Sequence, residues 1–112
     1  MPAGRKLVAL LASAWLAGDA VGAPSTVTVT VENMRFASAV LTVRRGDRVV
    51  WVNKDLVPHT VTTDRPMFDS GEIPANGSWS YVALRAGEFP YHCAYHPTMK
   101  AKLIVRAAET ST

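Results

Sequence analysis

The sequence predicts an all-β fold, a Greek-key β-sandwich of about eight short strands. Three observations predict it. No helical period of useful length follows residue 24. Short runs with alternating or continuous apolar character take its place. Turn residues separate those runs at close intervals.

The elements follow in chain order. Thr26-Val27-Thr28-Val29-Thr30-Val31 alternates strictly, so its valines share one face and its threonines the other. Val40-Leu41-Thr42-Val43 is a second strand, closed by the turn signal Arg45-Gly46-Asp47. Arg48-Val49-Val50-Trp51-Val52 is apolar on both faces, which predicts a central, covered strand ending at Asn53-Lys54-Asp55. His59-Thr60-Val61-Thr62-Thr63 is rich in β-branched residues, which suit a pleated surface. Residues 64–77 read as a loop, crowded with Asp64, Pro66, Asp69-Ser70-Gly71, Pro74 and Asn76-Gly77. Ser78 to Leu84 alternates, with Trp79, Tyr81 and Ala83 on one side. After the turn Arg85-Ala86-Gly87, Glu88 to Cys93 alternates again, placing Phe89, Tyr91 and the Cys93 sulfur on one inward face. Lys100 to Val105 is the last strand, and the polar tail to Thr112 is expected to fray. Trp51 and Trp79 are expected in the core. Asp47, Asp55, Asp64 and Asp69 fall at turns, where aspartate needs no chemical role.

The chain has 112 residues, which suits one domain. Residues 1–23 read as a secretory signal peptide: a basic start at Arg5-Lys6, an apolar run from Leu7 to about Ala17, and an exit at Val21-Gly22-Ala23. Asp19 interrupts that run before it reaches the ~20 apolar residues of a membrane span. Residues 24–112 are then one exported domain, expected in the periplasm and not spanning the membrane. The 12 basic and 9 acidic residues are scattered, without aromatic interleaving, which argues against nucleic acid.

Small exported domains often rely on disulfides, but Cys93 is the only cysteine. Such a residue pairs two chains, stays free or binds a metal. Its neighbours favour the third. Cys93, His96 and Met99 stand three apart in Tyr91-His92-Cys93-Ala94-Tyr95-His96-Pro97-Thr98-Met99-Lys100, on what reads as a tight loop between two strands. His59, after Pro58, supplies a second imidazole from the start of another strand. Alone, a cysteine or methionine more often packs a core. Together, two imidazoles, a thiolate and a weak thioether match a mononuclear electron-transfer copper site. A closed zinc site of four Cys and His ligands would need His92, which lies on the opposite strand face from Cys93.

From about Val27 to Val105 the sequence resembles the cupredoxins, and among them the amicyanins most. The resemblance rests on Val50-Trp51-Val52-Asn53, Pro58-His59, Gly87-Glu88-Phe89-Pro90-Tyr91-His92-Cys93 and His96-Pro97-x-Met99-Lys100. It implies an eight-stranded sandwich carrying single electrons on one copper ion. It implies His59, Cys93 and His96 as strong ligands and Met99 as the weak axial one. It also implies that the His96 ring reaches an apolar surface, lined here by Pro58, Pro97 and Met67, where a protein donor and acceptor dock in turn. A monomeric carrier, not an enzyme, is expected; copper storage or delivery is the rival expectation. Amicyanins place asparagine after the first ligand histidine and threonine after the ligand cysteine, side chains that tie the ligand loops together. Thr60 and Ala94 stand there instead. Thr60 can still hydrogen-bond a backbone group; Ala94 has no side chain to reciprocate.

Overall fold

Alternation in this sequence gives each strand one apolar face, and two sheets bury those faces against each other. The computed structural model describes residues 22–107. They form eight strands and no helix: β1 (Thr26–Glu32), β2 (Arg35–Phe36), β3 (Val40–Arg44), β4 (Arg48–Asn53), β5 (Thr62–Thr63), β6 (Ser78–Val82), β7 (Gly87–Cys93) and β8 (His96–Arg106). One sheet has the order β2-β1-β4-β6 and the other β3-β8-β7-β5. The pairs β1–β4 and β3–β8 are parallel, because the chain crosses between sheets before returning beside them. The remaining pairs are antiparallel. The expected all-β sandwich of eight strands is the observed fold. The signal peptide read at residues 1–23 lies outside the described residues, apart from Gly22 and Ala23. No helix among the described residues is long and apolar enough to cross a membrane.

The inward faces are those the alternation predicts. Val29 and Val31 of β1, Val49 and Trp51 of β4, Tyr91 and Cys93 of β7, and Leu103 and Val105 of β8 are all buried. Trp79, Tyr81 and Phe89 pack against this core while partly exposed. Trp51 sits at its centre, edge-on to Tyr91 at 5.7 Å between ring centroids, with its Nε1–H donating to Tyr91 Oη at 3.2 Å.

Three expectations need correction, and one strand is additional. The outer face of β4, Val50 and Val52, is half-buried rather than covered, since the second sheet packs on the other face only. The strand read at His59–Thr63 shrinks to Thr62–Thr63, because His59 bridges Ile73 alone. Strand β8 begins at His96, not at Lys100. The two-residue β2 was not legible at all; it closes a hairpin on β1 through Asn33 and Met34, both at positive φ (56° and 58°). A type I′ hairpin turn requires that conformation at both central residues, and methionine rarely adopts it.

Candidate metal centre

The site lies at the end of the sandwich where β4 finishes and β8 starts. Asn53, fully buried, builds the loop that leads to His59. Its Nδ2 donates to Val57 O (2.9 Å) and Ile73 O (3.0 Å), and its Oδ1 accepts Asp55 N–H (2.9 Å). The His59 backbone is held on both sides by Ile73: His59 N–H donates to Ile73 O (3.1 Å) and Ile73 N–H to His59 O (2.8 Å). These two bonds hold the backbone from which the imidazole projects.

Cys93 ends β7 and pairs directly with His96, the first residue of β8, so the turn between them is only Ala94-Tyr95. His92 pairs with Lys100, which leaves Pro97, Thr98 and Met99 as extra residues on β8. This bulge re-aims the strand, as bulges do beside functional sites. It turns the His96 ring toward Cys93 and returns Met99 to the buried face shared with Ala101, Leu103 and Val105. Met99 thus belongs to a strand, where the sequence suggested a loop.

The Nδ1 atoms of His59 and His96 stand 3.7 and 3.6 Å from the Cys93 sulfur. All three candidate donor atoms lie within 4.8 Å of one another. Two donors sharing one first-row ion at bonds of ~2.0–2.3 Å are separated by roughly 3.5–3.8 Å. The sulfur also accepts Thr60 N–H at 3.3 Å. The two rings are edge-to-face, centroids 5.2 Å apart. His59 and Cys93 are fully buried, whereas His96 is half-buried.

Asp55, read from the sequence as an ordinary turn residue, completes the site. Its Oδ2 lies 2.8 Å from His59 Nε2. A carboxylate there accepts the Nε2–H, which keeps the proton on Nε2 and leaves Nδ1 bare for a metal. Burial opposes ionisation of Asp55. Hydrogen bonds from Met34 N–H, the His59 ring and Asn33 N–H outweigh it and hold the carboxyl below its ordinary value. The signal available in the sequence was the four-residue step from Asp55 to His59, which in a loop says nothing of direction. His92 stays outside the cluster, its Nδ1 2.6 Å from Asp64 Oδ1. Tyr95, exposed on the turn, donates its hydroxyl to Glu72 Oε1 at 3.1 Å; that bond, with burial and the nearby negative charges behind it, raises the phenol above its ordinary value.

A sandwich with two imidazoles and one thiolate aimed at one point, and a buried thioether on the adjoining bulge, defines a class of protein: it carries the donor set that suits one copper ion. A model of the cupredoxin-like domain matches residues 6–105, and the chain belongs to that family. Within it the chain is similar to amicyanin of Paracoccus denitrificans, 30% identical over 90 residues that cover 74% of this chain and 67% of that protein. It is similar also to amicyanin-alpha of Methylorubrum extorquens, 28% identical over 114 residues, covering 88% and 92%. A solved structure of a reduced amicyanin variant matches with a TM-score of 0.69 at 26% identity, over 76% of this chain and 86% of that one. A copper(I) structure of another amicyanin variant matches at 0.69 and 22% identity, over 80% and 99%, which shows the fold.

Proposed function

We propose that this protein is a small blue copper electron carrier, in which His59, Cys93 and His96 would be the strong ligands and Met99 the weak one. The observation that carries the reading is the pair of imidazole nitrogens 3.6 and 3.7 Å from a single buried sulfur. When bound, copper supplies a one-electron couple between Cu(I) and Cu(II). The chain supplies the rest. Thiolate and thioether suit the reduced ion and imidazole the oxidised one, so one donor set serves both states. Asp55 and the Ile73 bridge hold His59, and the β7–β8 pairing holds Cys93 against His96, so little moves when the charge changes.

The half-buried His96 ring gives the electron its way in and out. Exposed Tyr95 and Pro97 flank it in sequence, and Leu56, 92% exposed, stands on the loop that leads to His59. We assign to this apolar end brief, weak contacts with a protein donor and then a protein acceptor, as suits a small redox interface. The carrier works as a monomer in the periplasm, exported by residues 1–23 and acting as no enzyme itself. Burial of Cys93 and His59 weighs against copper delivery, which needs ligands within reach of a recipient.

The test is a visible spectrum after addition of Cu(II) and an oxidant. An intense thiolate-to-copper band is expected, and Cys93→Ser removes it. Oxidised protein that stays colourless and takes up only zinc refutes the reading. Ready loss of copper to an apo acceptor would favour delivery over transport.

A further inference from the structure

Thr60 touches both segments that carry ligands. Its backbone N–H points at the Cys93 sulfur (3.3 Å), and its Oγ1 accepts Ala94 N–H at 2.7 Å. The same oxygen lies 2.8 Å from Thr62 Oγ1. Thr62 Oγ1 in turn donates to Asp69 Oδ1 at 3.1 Å, and that carboxylate oxygen also accepts Gly71 N–H at 2.9 Å. An isolated backbone bridge between Thr62 and Asp69 keeps the two side by side.

The proton count fixes every direction in this series. A hydroxyl has one proton. Thr62 gives its proton to Asp69, so the proton between the two threonines belongs to Thr60. Thr60 can then only accept from Ala94. The bonds run from the Ala94 amide through two hydroxyls to a carboxylate at the surface. Bonds aligned in this way polarise and strengthen one another, and a charged acceptor at the end strengthens them further. Ala94 lacks a side chain with which to tie the cysteine turn down, so its backbone amide is what this series grips.

We propose that Thr60, Thr62 and Asp69 form a positioning relay that clamps the Cys93–His96 turn onto the His59 segment and so tunes the thiolate. The grip on Ala94 needs no metal; the tuning rests on the copper reading above. None of the three belongs to the His59, Cys93 and His96 donor cluster, so they are positioning residues.

Two readouts test it on the whole protein. Thr60→Val keeps the side chain's shape and the backbone N–H but removes the hydroxyl. Thr62→Val breaks the relay one bond further out, at a half-buried position where the fold tolerates it. In metal-free protein, hydrogen exchange at the Ala94 amide should speed up roughly fivefold or more with Thr60→Val, the loss expected for one net hydrogen bond. Thr62→Val should give a smaller change in the same direction, and Thr60→Ser should restore the original rate. In copper-loaded protein, the thiolate band and the reduction potential should shift in the same rank order. Unchanged Ala94 exchange in both valine variants overturns the relay, even if every variant turns blue. Faster exchange in protein that never turns blue keeps the clamp and discards the copper reading instead. Faster exchange with an unmoved band and potential overturns the tuning role.

Discussion

A single imidazole offers a metal only one of its two nitrogens, and at His59 the choice is made by Asp55. The carboxylate occupies Nε2 at 2.8 Å and is itself held by the N–H groups of Asn33 and Met34, at 2.7 and 2.9 Å. Those two donors sit in the left-handed hairpin turn between β1 and β2. One side chain therefore stabilises an unusual turn and fixes the ring that faces Cys93. Asp55→Asn should weaken copper binding ~10–100-fold, the range seen when the partner of a ligand histidine is lost. Competition with a chelator of known affinity measures this, and unchanged affinity would show Asp55 to be a turn residue only. The candidate ligands stand out in the sequence because their chemistry is unusual: thiol, imidazole and thioether three residues apart have few other uses. Asp55 was not legible, because aspartate in a turn is common and its partner depends on how two loops meet in space.

At the scale of elements, the site depends on one loop and one bulge. The 53–58 loop is an irregular path whose polar groups are satisfied by Asn53, which bonds Val57 O, Ile73 O and Asp55 N–H at once. Asn53→Ala leaves Val57 O and Asp55 N–H without these partners and Ile73 O with the His59 N–H alone. We expect it to destabilise the metal-free protein by about 2–4 kcal/mol, read from the urea midpoint, and to speed copper loss. A change under about 0.5 kcal/mol would mean that water replaces Asn53. The strands themselves were legible wherever apolar and polar residues alternate, as in β1, β6 and β7. What alternation cannot reveal is a register change. Pro97, Thr98 and Met99 read as loop because a proline and a candidate ligand interrupt the pattern, whereas the β7–β8 pairing passes around them and resumes at Lys100. β2 escaped notice for a related reason: two residues are too few to show a period, and its existence depends on the turn that Asp55 holds.

The sandwich has two ends, joined through the core in which Trp51 meets Tyr91. The metal centre occupies one end. At the other, where β4 begins, Asp47 closes the structure. Its Oδ1 accepts Ser25 N–H beside β1 and its Oδ2 accepts Arg44 N–H at the end of β3, both at 2.9 Å, so one carboxylate joins the two sheets. The Ser25 and Arg44 amides lower its pKa from the ordinary 3.8, against the opposing effect of burial and with further help from the Arg44 guanidinium. A carboxyl whose pKa is lower when folded contributes stability above the unfolded value and loses it as pH falls through the folded one. Asp47→Asn turns an amide NH2 toward a backbone N–H and should cost roughly 1–2 kcal/mol near pH 7. The difference from the parent chain should stay constant down to about pH 5, then shrink below about pH 4 as Asp47 takes up its proton. Urea unfolding of both metal-free proteins at a series of pH values measures it, and the comparison cancels every other carboxylate they share. A difference that persists unchanged to about pH 2.5, well below the ordinary aspartate range, would show that the clasp works by shape alone and not by charge.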